Sequence, residues 1–557
     1  MKNKKIKIDI IVLFVLLAFF MVLKNKETLS IMYLASDTST VVVKDGNNND
    51  YSFIRGQEVK KSNKSKKIDN INLNKIYIDG KPYYVEDTKL VENKEDAVLE
   101  KELWVYRTCS VYKDEDSSLL NGLINKGEKI EVIGHSELKE DGSVERYKYE
   151  GGYIYSKYLT SDEEYAKKDN DSIYGLEMLK HTEDTYGAGS ASELDYYENE
   201  KPIFENNVMP EICRSLYINA EAIKNIDDYI NLSKETNVNT FVIDIRDSDV
   251  VTYKSDVIKT YSPTSYDVAC YTKEELKEQL DKVKEAGIYM VARITVFKDK
   301  NFMIDHPEYA ILDINDDNKP FEYGSSYWPS PYSREVWQYN VELAKEVVNE
   351  FGFNEIEFDY VRFPERIDYY ADVLNALELQ NTYNETRSEA IQRFLMYACD
   401  EIHKVNAYVS VDVFGETSND YVCAYGQYLP AISNVVDVVS PMPYPDHFNK
   451  HDYGIEEVVW TVPYKLLSVW AKQVKERQSE IPSPALIRTY IQGYDSIKRP
   501  YIEYDNDKLA EQIEALIDSE IYSNGYIIWN GASNIDKYYS FKEALSKYWF
   551  FKKIIKK

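Results

Sequence analysis

The feature that most constrains this chain is a regular alternation of apolar strand patterns and helix patterns, which begins near Pro210. Helical periodicity is clear in Lys273–Ala286, Arg334–Phe351 and Asn506–Ser519. Strands separated by helices pair in parallel, and eight evenly repeated units favour a closed barrel over a doubly wound sheet. The sequence therefore predicts an α/β fold with a (β/α)8 TIM barrel over residues 206–550. The predicted strands are Ser215–Asn219, Thr240–Ile245, Tyr289–Val296, Glu355–Val361, Tyr408–Phe414, Val435–Ser440, Leu486–Ile491 and Tyr526–Trp529.

The fourth predicted strand begins the stretch EIEFDYVRFP, Glu355–Pro364. Side chains alternate along it, so Ile356 and Phe358 fall on one side and Glu357 and Asp359 on the other. A sheet covered by helices is expected to be apolar on both faces, so two carboxylates on one face need a special reason. Active sites of such barrels lie at the C-terminal strand ends. We therefore expect Asp359 to be the centre of an active site.

Other polar and aromatic residues fall near the ends of neighbouring strands. Glycoside hydrolysis requires one carboxyl group as an acid and a second as a nucleophile or base. Asp359 and Asp412 occupy equivalent ends of adjacent strands, and Glu416 follows shortly after. These three are the candidate catalytic residues. The candidate substrate-binding residues are Asp244, Arg293, Glu357, Arg362, Tyr444, Trp328, Trp529 and Asn530.

Two of these residues also have purely structural interpretations. Trp328 could stack on a sugar face or anchor a loop. Arg362 could orient a catalytic carboxylate or pair with Glu357, whereas Arg293 is expected to depress the pKa of an ionised partner.

A family resemblance rests on five stretches that occur in order, mostly at strand ends. They are FVIDIRDSD, YMVARITVFKD, WPSPYSREVWQYN, EIEFDYVRFP and SVDVFGE. Residues from about Ile203 to Leu545 resemble a family of bacterial glycoside hydrolases with a (β/α)8 barrel, distantly like the α-amylase clan. The resemblance implies a sugar-acting enzyme with Asp359 as nucleophile. It leaves open whether Asp412 or Glu416 is the acid, because the clan has a Glu on strand five.

The N-terminus carries an export signal. Basic residues precede the apolar run Ile10–Leu23, and the positive-inside rule places the N-terminus in the cytoplasm and the remaining chain outside. We expect residues 1–30 to be an uncleaved signal anchor of a single-pass membrane protein. A cleaved signal peptide, which would release a secreted protein, is the alternative.

Three further segments precede the barrel. Residues 31–95 and 100–162 read as two copies of a small β module, and the second resembles bacterial SH3-like domains of cell-wall proteins. Their expected role is peptidoglycan binding, or alternatively spacing the barrel from the membrane. Residues 163–205 are polar and acidic, which is typical of a linker.

Composition narrows the function further. The net charge of −28 argues against a nucleic-acid partner. The five cysteines show no CxxC spacing, the six histidines are scattered, and no phosphate-binding loop is present, so we expect no metal and no cofactor. The sequence predicts a membrane-anchored, extracellular glycosidase that cleaves a cell-envelope or extracellular polysaccharide. The alternative is a non-catalytic barrel that binds wall glycan or organises an envelope complex.

Overall fold

The computed structural model of this protein describes residues 27–169, 175–479, 481–521 and 523–547. The chain divides into two compact units. The first comprises Met1–Ser117 and Ile124–Lys167, and the second comprises Ser118–Leu123 and Lys168–Lys557.

The first part of the N-terminal unit is one antiparallel sheet of seven strands. Its core consists of aliphatic side chains such as Leu34, Val41, Val59 and Ile76. In spatial order the strands are Asp50–Ile54, Thr40–Lys44, Lys81–Val85, Ile71–Ile78, Glu58–Ile68, Leu29–Leu34 and Leu90–Val91.

The second part of this unit has a different arrangement, with two small sheets in place of one. Lys129–Glu131, Glu102–Val105 and Leu159–Thr160 form one of them. The other contains Cys109–Tyr112, Gly152–Tyr155, Arg146–Tyr149 and Gly134–His135. Leu120–Ile124 is a further strand. All-β segments are thus confirmed, but two copies of one SH3-like module are not, because the strands are ordered differently in the two parts.

The C-terminal unit contains a nearly closed barrel of parallel strands, as the sequence predicts. Strands adjacent in the chain are paired, and β8 pairs with β1. The seventh strand is interrupted at Arg488; its first piece pairs with β6 and its second with β8. The strands are β1 Cys213–Ile218, β2 Thr240–Asp247, β3 Tyr289–Thr295, β4 Glu355–Asp359, β5 Tyr408–Phe414, β6 Val438–Met442, β7 Leu486–Ile487 with Thr489–Gln492, and β8 Gly525–Trp529.

Helices follow the barrel strands, and local sequence sets their ends. Thr272 and Glu275 form a reciprocal capping box at the start of one helix, and Ser333 caps another that ends at the left-handed Gly352. The helices are Ile226–Glu235, Asp256–Tyr261, Pro263–Asp267, Lys273–Glu285, Lys300–Asp305, Arg334–Phe351, Arg387–Ile402, Leu429–Val435, Pro463–Gln478, Asn506–Asp518, Ile535–Ser540 and Lys542–Lys547. In the N-terminal unit, Glu163–Lys167 is a short helix.

Long connections after β3 and β4 meet at one end of the barrel. Leu312–Asp313, from the connection after β3, pairs with Lys319–Pro320 and also with Leu377–Glu378 from the connection after β4. These two long connections are therefore joined by a small three-stranded sheet.

The segment predicted as an acidic linker differs from that expectation over much of its length. Met178, Leu179, Ala191 and Leu194 are buried in an apolar cluster with Tyr428 and other barrel residues. Although the segment is polar in overall composition, its apolar residues pack onto the outside of the barrel.

Among the described residues, no helix is long and apolar enough to cross a membrane. The predicted anchor, Ile10–Leu23, lies outside the described residues.

Candidate active site

Three acidic side chains of β4 point into the barrel at successive levels. Glu355, Glu357 and Asp359 alternate with Ile356 and Phe358, which are buried on the opposite side of the strand. The alternation expected from the sequence is therefore present, with Glu355 as a third inward carboxylate. We describe the three levels from the N-terminal end of the strand upward.

At the lowest level, Glu355 forms an ion pair with Arg488 of β7. Both oxygens of Glu355 accept bonds from this guanidinium, at 2.8 and 3.1 Å. Tyr289 also donates to Glu355, and Arg488 makes further bonds to Asn524. Both charged side chains are fully buried, so this level is a closed, satisfied ion pair.

At the middle level, Glu357 is fully buried and accepts two hydroxyl hydrogen bonds. Ser440 of β6 donates to Oε1 and Tyr490 of β7 donates to Oε2, each at 2.8 Å. Burial, and then the nearby Glu355 carboxylate, raise the pKa of Glu357 to about 7. Because Glu357 has no exposed surface, this structure does not place it in contact with a substrate.

At the upper level, one arginine gathers several carboxylates. Arg293 of β3 donates to Asp244 at 2.7 Å and to Asp359 at 2.5 Å. The same guanidinium lies 3.6 Å from Asp247 and 3.7 Å from Asp412. The structure thus brings together Asp244, Arg293, Asp359 and Asp412, which the sequence analysis proposed as site residues.

Asp412 is the exceptional member of this group. Its side chain is only 1% exposed, and neither carboxyl oxygen has a hydrogen-bond partner. Burial, followed by repulsion from Glu357 and Asp359, raises its pKa well above the ordinary value. These surroundings favour the neutral, protonated form of the Asp412 carboxyl group over its anion.

Asp359 has the opposite character. Its Oδ2 accepts from Arg293 and its Oδ1 accepts from the backbone N–H of Tyr360, so donors stabilise a negative charge on it. Its side chain is 10% exposed, which makes it more accessible than Asp412. Both Asp359 and Asp412 contact one rigid guanidinium, so the contacting oxygens lie less than about 9 Å apart.

Asp244 is an intermediate case. It accepts hydrogen bonds from Arg293 and from the hydroxyl of Tyr217 on β1. Burial raises its pKa to about 6, although the charge of Arg293 opposes the shift. Sequence reasoning missed Tyr217 and Ser440 as partners of the carboxylates. Both lie in predicted strands, so the alternation of side chains was the signal that could have found them.

Two predicted aromatic residues lie beside the arginine. The ring of Trp529 stands 5.4 Å from the Arg293 guanidinium and packs against Tyr217. Tyr444 is buried in the same apolar cluster, close to both Trp529 and Tyr490.

Other predicted residues lie outside this group. Trp328 is 1% exposed and donates to the carbonyl of Tyr323, so its ring offers no face to a sugar. Arg362 pairs with Glu365, at 2.8 Å, and not with Glu357. Asn530 is buried and donates to the carbonyl of Gly493, which makes it a structural residue of the loop after β8.

Glu416 lies in a cleft of about 550 Å³ that opens beside the barrel end. It accepts a hydrogen bond from Tyr425. Met442 lines this cleft and also packs against the apolar cluster that contains Tyr444 and Tyr490, whereas Arg293, Asp359 and Asp412 are not among the residues that line the cleft. The cleft is lined by aromatic and acidic residues, among them Tyr186, Phe414, Tyr421, Phe448, Glu365, Asp368 and Asp452.

In the described part of the chain, no group of three or more His, Cys, Asp or Glu residues could hold a metal ion.

One family model matches the barrel. Residues 215–535 match the family described as "Putative glycosyl hydrolase domain", a span of more than half of the 557 residues. No curated protein matches this chain.

Several solved structures are similar to the chain. A hypothetical protein from Ruminiclostridium thermocellum ATCC 27405 is 26% identical over 36% of this chain and 97% of its own, with a TM-score of 0.30. The PgaB (BpsB) glycoside hydrolase domain from Bordetella bronchiseptica is 12% identical over 60% of this chain and 99% of its own, with a TM-score of 0.42. The spore cortex-lytic enzyme SleL from Bacillus megaterium QM B1551 is 13% identical over 62% of this chain and 76% of its own, with a TM-score of 0.35.

Proposed function

This chain belongs to the glycosyl hydrolase family whose model matches residues 215–535, and on that premise we propose that its barrel hydrolyses glycosidic bonds with Asp359 and Asp412. The observation that carries the proposal is the contact of one guanidinium, Arg293, with both carboxyl groups. One of them is stabilised as an anion by donors, and the other is buried without any donor.

Such a pair supplies the two roles that glycoside hydrolysis requires. Asp412 donates its proton to the oxygen of the departing sugar, and Asp359 acts as the anionic carboxylate on the other side of the bond. Environments that push the pKa values of two carboxyl groups apart are the usual basis for such acid and base roles. The limit of about 9 Å between the contacting oxygens is compatible with a carboxylate that attacks the sugar directly and with one that activates water.

Glu416 takes a different role in this proposal. It lies in the aromatic cleft and bonds to Tyr425, so it binds sugar units next to the cleaved bond. Rings of Phe414, Tyr421 and Phe448 line the same cleft and could stack on sugar faces.

The substrate in this proposal is a polysaccharide of the cell envelope or the extracellular space. The basis is the sequence of the N-terminus, where an apolar run follows basic residues and indicates export with a membrane anchor. Fractionation of cells that express the full chain tests this point. Protein in the soluble cytoplasmic fraction would contradict export.

A second candidate function is a barrel that binds glycan without cleaving it. It is favoured by the enclosure of the site, since the side chains of Asp412 and Asp359 are only 1% and 10% exposed. Catalysis in this structure requires the substrate to reach the almost completely buried carboxyl group of Asp412.

The experiment that separates the two functions compares Asp359→Asn with wild type on a panel of neutral and amino-sugar polysaccharides. We expect release of reducing ends to fall by about 10²–10⁴-fold while the variant still binds the glycan. The exposed Asp281→Asn, which loses only a surface pair with Lys277, should keep wild-type activity. Binding without hydrolysis by the wild-type protein on every polysaccharide would support the second function.

A further inference from the structure

We propose that Glu357 and Asp412 form a carboxylate–carboxylic acid pair that holds a single proton, with Glu357 as the positioning residue that keeps this proton on Asp412. The catalytic consequence rests on the proposed function, but the shared proton itself does not. Neither residue type nor position in the sequence distinguishes Glu357 from the carboxylates above and below it.

The hydrogen bonds of Glu357 identify it as the ionised partner. Each of its oxygens accepts from a separate hydroxyl group, Ser440 on one side and Tyr490 on the other. No guanidinium or ammonium group bonds to it, because Arg488 is occupied by both oxygens of Glu355. Two hydroxyl donors and a neighbouring acid proton together satisfy a buried carboxylate.

The surroundings of Asp412 identify it as the protonated partner. Neither of its oxygens receives a hydrogen bond, and its side chain is only 1% exposed to solvent. The nearest cation, Arg293, bonds to Asp244 and Asp359 through its two terminal nitrogens, and its Nε lies 3.7 Å from Asp412, too far for a hydrogen bond. A bare carboxylate at such a place is strongly disfavoured, because its charge is removed from water without a donor, whereas a neutral carboxyl group has its own O–H to donate.

The acceptor for that proton is at hand. Ser440, whose hydroxyl donates to Glu357, is also the register partner of Asp412, and Glu357 is paired with Ser410, two residues before Asp412 on β5. These pairings bring the two carboxyl groups close together on neighbouring strands, and Glu357 accordingly raises the pKa of Asp412. Two carboxyl groups at such a distance cannot both be ionised, so they share one proton.

The positive charges near the pair are those of Arg293 and Arg488, and each of these side chains hydrogen-bonds other carboxylates. Hydroxyl groups of tyrosines remain protonated, because burial raises their pKa well above the ordinary value. The charged and titratable groups that face the pair are Tyr217, Asp244, Tyr289, Arg293, Glu355, Asp359, Tyr444, Arg488 and Tyr490.

The pair has a defined part in the proposed reaction. When the glycosidic C–O bond breaks, the O–H bond of Asp412 breaks too and its proton forms the new O–H bond of the departing sugar. Asp412 is then an anion next to the anion of Glu357, and this repulsion makes it a strong base. Water that attacks the anomeric carbon, or the intermediate on Asp359, gives a proton back to Asp412. The repulsion from Glu357 therefore returns the acid to its starting state.

The test observes the proton directly and without substrate. The full chain is produced with aspartate labelled with ¹³C at the side-chain carboxyl group, and carboxyl signals are followed by NMR from pH 4 to pH 9. The Asp412 signal is identified by its loss in Asp412→Asn. We expect this signal in wild type at the position of a protonated acid at pH 7.

Glu357→Gln should move the titration of Asp412 down by at least one pH unit, since the amide removes the repulsion and can donate a hydrogen bond. Tyr490→Phe removes one donor from Glu357 and should move the midpoint in the same direction, which covers the case in which Glu357→Gln does not fold. Glu278→Gln, on an exposed helix surface, is the control and should leave the titration unchanged.

Two results would overturn the proposal. One is an Asp412 signal that stays at the carboxylate position across the whole pH range in wild type. The other is a midpoint that does not move in either variant. A protonated Asp412 in a protein that cleaves no glycan would refute the proposed function while leaving the shared proton intact.

Discussion

The lower and upper levels of the barrel interior carry the same kinds of side chain in opposite states. At the bottom, Glu355 and Arg488 are matched one to one, and both carboxylate oxygens receive hydrogen bonds. At the top, Arg293 faces four carboxyl groups but hydrogen-bonds only Asp244 and Asp359, and Asp412 receives no hydrogen bond. The first arrangement holds the barrel together. The second keeps a proton and a negative charge close to each other, which stability alone does not require.

The difference shows that buried charge by itself is a poor guide to function. Both levels contain an arginine and carboxylates from different strands, and both are almost completely buried. What distinguishes them is the balance between donors and acceptors. An unsatisfied polar group in a folded protein calls for an explanation, and a catalytic role is one of the recognised ones.

The largest expected effect on folding comes from breaking the satisfied pair with Arg488→Leu. The change leaves Glu355 buried without its cation, so we expect the free energy of unfolding to fall by about 3–5 kcal/mol. Denaturant unfolding measures it. Lys277→Ala, which breaks an exposed pair with Asp281, should cost less than about 1 kcal/mol.

Replacing both lower partners sharpens this prediction. Arg488→Leu combined with Glu355→Met removes the uncompensated charge, so the double variant should recover much of the lost stability. A double variant as unstable as Arg488→Leu would show that the pair contributes through shape and not through charge.

The next effect is a change in the pH dependence of stability at the middle level. The pKa of Glu357 is raised from an ordinary value of 4.5 to about 7. Between pH 4.5 and pH 7 the folded state therefore binds more protons than the unfolded state. The contribution of Glu357 to the free energy of unfolding accordingly falls as the pH rises through this range. As the pH rises from 4.5 to 7, the free energy of unfolding of Glu357→Gln should increase relative to that of wild type by up to about 3 kcal/mol.

Unfolding in denaturant at pH 5 and pH 8 measures this gain. Glu278→Gln, a change of the same chemistry at an exposed position, should show the same difference between the two pH values as wild type. A stability difference for Glu357→Gln that is independent of pH would contradict the raised pKa.

The smallest expected effect is a difference in stability between two tyrosine variants, one at the upper level of the barrel and one in the ordinary core. Tyr217 donates its hydroxyl to the carboxylate Asp244, whereas Tyr538 donates to the backbone carbonyl of Tyr217. Hydrogen bonds to charged groups contribute more, so Tyr217→Phe should cost about 1.5–3 kcal/mol and Tyr538→Phe about 0.5–1.5 kcal/mol. Equal costs would indicate that Asp244 is not ionised at the pH of the measurement.

Much of the barrel could be predicted because its strands are short, apolar and separated by helices. The bounds of Tyr408–Phe414 and Arg334–Phe351 agree with the structure at both ends. Strand four was predicted to extend to Val361, but it ends at Asp359, since Tyr360 takes a positive φ of 53°. Such a backbone turn follows from contacts at the barrel end and leaves no periodic signal.

The prediction of individual roles was less successful. Asn530 follows strand eight and Trp328 lies in the long connection after strand three, yet the side chains of both are buried. Arg362 bonds to Glu365, three residues further along the chain, and this local pair replaces the pair with Glu357 that was considered from the sequence. Position near a strand end predicts where a residue lies but not which way its side chain points.

The sequence by itself determined the order of strands and helices and the carboxylates at alternate positions of strand four, because both follow from local periodicity. It also determined a family match along the barrel. Only the tertiary structure decided that Arg293 serves several carboxylates while Asp412 has no donor. The state of a buried carboxyl group depends on donors that come from distant strands, and these meet only when the sheet closes.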